Sequence, residues 1–246
     1  HARMAIPLGM LGMAAQVVTT AEAAVAASPP HTPVSDIARV ILAHAATAQD
    51  ECWAAAHLDD LFANVDLLAA ARLDPMLGLH VGRALSIAER YDTAVSALTE
   101  LAGRLRGEGA RSSLAMIFGA LGETYIRASR FDEAVSCLDE AVALSFGTGQ
   151  RAFAPFWLGL RARAGAIRGD DAAAAGDLEL GFAISDEQST FGARYFLLAN
   201  AGLVAVIGRQ YEQAAAHLGE CWAFEQAAGL LAPHLARWHI DLVETH

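Results

Sequence analysis

Phe118-Gly-Ala-Leu-Gly-Glu-Thr-Tyr125 and, after a short break, Arg130-Phe-Asp-Glu-Ala-Val-Ser-Cys-Leu-Asp-Glu-Ala141 decide the reading of this chain. Phe118, Leu121 and Tyr125 fall at helical spacing and share one face, and Gly122 beside Leu121 leaves room for a second helix to come close. After a turn at 128–130, Phe131, Ala134, Leu138 and Ala141 form another helical stripe, in which the small Ala134 again permits a tight crossing. The stretch reads as a pair of helices, A followed by B.

The B half recurs. Arg90-Tyr-Asp-Thr-Ala-Val-Ser-Ala-Leu98, Asp170-Asp-Ala-Ala-Ala-Ala-Gly-Asp-Leu178 and Gln210-Tyr-Glu-Gln-Ala-Ala-Ala-His-Leu218 align with the central copy, so that Ala stands at 94, 134, 174 and 214 and Leu at 98, 138, 178 and 218. The step is 40 throughout. Phe118, Leu121-Gly122, Tyr125, Ala134 and Leu138 resemble the aromatic, Leu-Gly, Tyr, Ala and Leu positions of the tetratricopeptide repeat. A step longer than the roughly 34 residues of the commonest repeat points to its longer relatives. The resemblance implies an all-α, right-handed superhelical solenoid of helix pairs, in which each pair buries its neighbour's apolar face.

Composition agrees with that class. Of 246 residues, 54% are hydrophobic, and the abundance of Ala favours helix over strand. A net charge of −11, from 17 basic and 28 acidic residues, repels a phosphate backbone, so no direct nucleic-acid binding is expected. Cys52, Cys137 and Cys221 are odd in number and fall within expected helices, which fits free thiols in a reducing cytoplasm better than a disulfide framework.

The repeats divide the chain as follows. Residues 1–33 hold a degenerate first repeat and the breaker cluster Ser28-Pro-Pro-His-Thr-Pro33, and helix pairs occupy 34–72, 73–110, 111–150, 151–188 and 189–229. Residues 230–246 open a further helix. The start, His-Ala-Arg-Met, suits a cloning scar or an excised fragment, and the apolar run 5–18 is too short to span a bilayer. Ser35 is the expected cap of a helix reaching about 46, 51–71 carries its partner, Asp74-Pro75 starts the next helix, and Ser112 or Ser113 caps the central repeat. In the pair 151–188, strict phase places Arg161 where Leu121 stands, whereas Phe153, Phe156, Trp157, Leu160, Ala164 and Ile167 form an apolar stripe one residue earlier. A connection shortened by one residue before this helix, and a turn lengthened by one after it, reconciles the two.

Arg237-Trp238 followed by Asp241-Leu-Val-Glu244 resembles a stretch near the end of the helical-repeat region of large ATP-binding LuxR-type transcriptional regulators. That family joins an ATP-binding switch domain to a long repeat region and a C-terminal helix-turn-helix, so the resemblance implies a sensor or interaction region in signalling and transcription regulation. No Gly-x4-Gly-Lys-Ser/Thr loop occurs in this chain.

No catalytic constellation emerges. The histidines make no i, i+4 zinc pair, the cysteines no Cys-x-x-Cys, and Asp59-Asp60, Asp132-Glu133 and Asp139-Glu140 suit helix starts or solvated faces. The expectation is a non-enzyme without metal or cofactor. Projecting the phase onto the concave wall formed by the A helices gives a candidate groove of Met76, Leu79 and Arg83; Met116, Glu123 and Arg127; Phe156 and Arg163; and Phe196 and Leu203. Small Gly119, Gly159 and Ala199 lie between them. Such a groove suits a peptide or protein partner with an acidic side, or a small amphipathic effector, unless these arginines merely solubilise the surface. The apolar face of an unpaired repeat end leaves homo-oligomerisation open.

Overall fold

The computed structural model describes residues 14–29, 32–46, 58, 75–188, 191–228 and 236–245. Among these every regular element is helical: α1 (Ala14–Ala27), α2 (Pro33–Ala46), α3 (Pro75–Ile87), α4 (Tyr91–Gly107), α5 (Arg111–Arg127), α6 (Phe131–Gly147), α7 (Ala154–Arg168), α8 (Asp171–Gln188), α9 (Phe191–Ile207), α10 (Tyr211–Ala228) and α11 (His239–Val243). A 3-10 turn, Arg151–Phe153, leads into α7. The helix expected over 51–71 and Cys52 lie outside the described residues, apart from Leu58, which is buried among the early helices.

Consecutive helices pack on one another, and α3, α5, α7 and α9 also pack in succession, forming one wall. The sequence explains the closeness within each pair. A Cβ added at Gly82 would stand 2.7 Å from Leu98, and one at Gly122 would stand 2.5 Å from Leu138; Gly202 meets Leu218 in the same way. Leu98, Leu138 and Leu218 are buried in these contacts, as are Ala94, Ala134, Ala174 and Ala214 beside them. Position 162 carries Ala rather than Gly, and Leu178 stays half-buried against Ala162, Ala166 and Ala174.

The turns repeat as well. Glu89, Ser129, Gly169 and Arg209 are all left-handed, and the following N–H closes back on the carbonyl five residues earlier: Arg90 on Leu85, Arg130 on Tyr125, Asp170 on Gly165 and Gln210 on Ala205, at 2.8–2.9 Å. These six-to-one bonds satisfy carbonyls that a helix end otherwise leaves open. Gly109 and Gly149 close α4 and α6 in the same left-handed conformation.

Four expectations need correction. Thr32 receives the Ser35 N–H on its hydroxyl at 3.3 Å, so the chain before Pro33 caps α2 and Ser35 is buried within it. Ser112 and Ser113 sit inside the first turn of α5, which starts from Ala110 without a side-chain cap. The pair 151–188 is not displaced, because Gly169 keeps the spacing of the other turns. Arg161 occupies its in-phase position by pairing with Asp177 and Asp139 at 2.6 Å, while Ile167, assigned to the buried stripe, is 40% exposed. Finally, the segment after 230 does not continue as a regular helix through its described part: Arg237 is left-handed and only α11 follows.

Replacing Gly122 by Ala forces Leu138 aside and is expected to lower stability by about 1–3 kcal/mol. Gly103→Ala, on an open helix face where an added Cβ meets nothing, is expected to raise it by about 0.5–1 kcal/mol. Urea unfolding of the two variants measures both.

Candidate functional site

The wall formed by α3, α5, α7 and α9 brings charged side chains of successive helices together. Glu123 of α5 is buried, and Arg83 of α3 reaches it with Nε at 2.9 Å from Oε2. Arg127, one turn along α5, donates from Nε and Nη2 to Oε1 at 3.3 and 3.2 Å. Burial alone would raise the Glu123 carboxyl, but Arg83 and Arg127 outweigh it and hold the pKa below the usual range. The Arg83 guanidinium also lies over the Phe196 ring of α9, 4.7 Å from its centroid. Helices distant in sequence therefore meet along this wall.

A cavity of about 240 Å³ opens beside this cluster. Glu123, Arg127, Arg163 and Arg237 supply its charge, and Ile126, Phe131, Leu160, Ile167, Phe196 and Ala199 supply apolar wall. Asn200 also lines it while donating to the Phe196 carbonyl at 2.6 Å. The Nε of Arg163 is buried without a hydrogen-bond partner, and, unlike Arg83 with Glu123, Arg163 has no carboxylate within ion-pair distance among the described residues. Burial, then the like charges of Arg127 and Arg237, press its pKa down, and only Asp241 opposes them.

The C-terminal segment closes one side. Arg237 crosses to Glu89 in the turn after α3 at 3.1 Å, and Trp238 is fully buried. Its indole N–H donates to Glu225 Oε1 at 2.9 Å; the Tyr195 hydroxyl donates to the same oxygen at 2.5 Å, and His239 Nε2 lies 3.0 Å from Oε2. Burial and the Glu225 carboxylate together push the Tyr195 phenol far up. Glu225 thus anchors α10, α9 and the terminal segment at one buried acceptor.

Of the groove residues expected from sequence, Glu123, Arg127, Arg163 and Phe196 line the cavity and Arg83 supports it from α3. Phe156 packs beside Phe196, with ring centroids 5.6 Å apart and planes tilted by 45°, and does not line the cavity itself. Leu79 and Met116 are buried in the core, where their face of the A helices meets neighbouring helices, and do not line this cavity. Leu203 is half-buried away from the cavity, and Met76 lies on α3 with its side chain outside the described residues. Arg237 was missed as a site residue, although the Arg-Trp motif marked its position in the sequence.

Elsewhere, His44 and His80 bury a direct contact, Nδ1 to Nδ1, at 2.7 Å. One ring must donate and the other accept, so the two Nδ1 atoms are not protonated together. Burial, aided by Arg83, lowers His80 to about 4, and burial followed by the charges of His80 and Arg83 lowers His44. Among the described residues no group of three or more His, Cys, Asp or Glu could hold a metal, and no helix is long and apolar enough to cross a membrane. Cys137 and Cys221 are free thiols raised first by burial, Cys137 to about 11.

No protein-family model matches the sequence, and no curated protein is detectably similar to it.

Because His80 takes up a proton less readily folded than unfolded, its contribution to stability is present above pH 6.5 and is lost as the pH falls toward about 4. Replacing His80 by Gln is expected to reduce the fall in Tm between pH 7 and pH 5 by roughly 2–4 °C, read by circular dichroism melts at both pH values. Trp238→Ala removes the buried anchor, with an expected loss of about 3–5 kcal/mol and faster proteolysis after residue 228.

Proposed function

We propose that this chain is a non-catalytic binding domain, a tetratricopeptide-like solenoid of helix pairs with a period near 40 residues, whose inner groove receives a partner or small effector. One observation carries the reading: charged side chains of α3, α5 and α7 meet Phe196 of α9 and Arg237 around a single cavity. The repeated left-handed turns and Gly–Leu contacts support the solenoid. The Arg237-Trp238 and Asp241-Leu-Val-Glu244 resemblance supports its placement as the sensor or interaction region of a cytoplasmic LuxR-type regulator.

A bound effector acts in such a domain by favouring one curvature of the array, and shifts the parent molecule by no more than its difference in affinity for the two states. The terminal segment is the part best placed to report occupancy, since Arg237 lines the cavity and also holds Glu89 across the array.

Two measurements test the reading. The full reading frame is expected to encode an ATP-binding domain before this region and a helix-turn-helix after it; a frame with neither removes the regulator assignment in favour of a free-standing scaffold. Native mass spectrometry against acidic helical peptides and small amphipathic effectors is expected to find binding that Phe196→Ala combined with Arg127→Ala weakens by about tenfold or more. Binding indifferent to that pair of substitutions, or turnover of a ligand, overturns the groove reading.

A further inference from the structure

We infer that the cavity between α5, α7, α9 and the C-terminal segment is a site for a small monocarboxylate with an apolar body, its carboxylate held by Arg163 and Arg237. The inference rests on the groove reading above and gives the groove an occupant.

Charge comes first. Arg83, Arg127, Arg163 and Arg237 surround the site together with the carboxylates Glu123, Glu89 and Asp241. Among these seven groups one positive charge is left over, while Glu244 acts on Asp241 and not on Arg163. Glu123 is taken up by Arg83 and Arg127 on both sides, and Glu89 by Arg237 from outside, so the excess settles on Arg163. Its counterpart Asp241 acts on it electrostatically without forming an ion pair, and Asp241 Oδ2 and Arg163 Nε are both buried without hydrogen-bond partners. A guanidinium whose Nε is buried in that state is costly unless something completes it. A carboxylate presents two oxygens to the planar N–H fork, which a neutral molecule or a halide does not.

Size and lining come second. The volume of about 240 Å³ lies below the roughly 300–1,000 Å³ of drug-sized sites, so the occupant is a small molecule, not a folded helix. Leu160, Ile167 and Phe196 offer it an apolar wall opposite the arginines. A dianion would exceed the single surplus charge and meet Glu123 and Asp241, whereas a monoanion balances it. The Arg237 side chain, about one-third exposed, closes over the site while keeping Glu89 in reach.

Isothermal titration calorimetry on the full chain, with benzoate, phenylacetate and isovalerate as probes and benzamide and inorganic phosphate as controls, tests the inference. The acids are expected to bind at least about tenfold more tightly than the amide. Arg163→Met should abolish that preference, Arg163→Lys should restore part of it, and Asp241→Asn should tighten acid binding severalfold by removing a competing charge. Circular dichroism melts establish that each variant folds, and the conclusion rests on Asp241→Asn if Arg163→Met does not. Equal binding of acid and amide, unchanged acid affinity in Asp241→Asn, or phosphate bound in preference to every acid overturns the carboxylate site. Binding of an acidic peptide at Arg127 and Phe196 with no acid bound also overturns it, yet leaves the groove reading standing; absence of both removes the two together.

Discussion

The distance between paired helices is the constraint on which the rest of this structure depends. Gly82, Gly122 and Gly202 lack the Cβ that would strike Leu98, Leu138 and Leu218, so each leucine enters the space beside a bare backbone. Interiors pack at crystal-like density, and a single methyl group at such a point must displace a neighbour. The small Ala94, Ala134 and Ala214 serve the same contact from the other helix. With pairs held this close, α3, α5, α7 and α9 come into succession as a wall.

That wall decides the electrostatics. Positions 83, 123 and 163 stand at corresponding places on successive helices and carry Arg, Glu and Arg, so the stack itself sets opposite charges side by side. Glu123 is tolerated in a buried place because Arg83 and Arg127 both reach it, and the pair on its own helix is fixed by the i, i+4 spacing. Arg163 has no equivalent partner, since the corresponding position on α9 is Leu203. In an acidic protein, the positive charge gathered at Arg163 is thus produced by an interrupted alternation. Phe196 adds a π face to Arg83, which joins the first and last helices of the wall.

The C-terminal segment completes the arrangement by a different device. Glu225 accepts from Trp238 and Tyr195 and faces His239, concentrating three contacts on one buried carboxylate. Because Trp238 is fixed there, Arg237 before it and Asp241 after it face the cavity region. In this short segment the left-handed Arg237 interrupts the helical path, so that Arg237 lines the cavity while Trp238 bonds Glu225.

How much of this was legible beforehand depended on whether the signal was local. Helix pairing, the phase of Ala134 and Leu138 and the use of Gly122 follow from spacing along the chain, because residues three or four apart share a helix face whatever surrounds them. The same spacing placed Glu123, Arg127, Arg163 and Phe196 together on one side, but it also put Met116 and Leu79 there, since a periodicity gives a direction and not the depth of the neighbouring helix. Arg161 was misread for a related reason: apolarity favoured a shifted stripe, and only the contacts with Asp139 and Asp177 keep an arginine in phase. By itself, then, the sequence determined an all-helical chain and the face on which its charges lie. Only the tertiary structure decided that Arg237 closes the cavity and that Arg163 is left without a partner, because those facts depend on residues far apart in sequence meeting in space, where each buried charge is settled by what lies within a few ångströms.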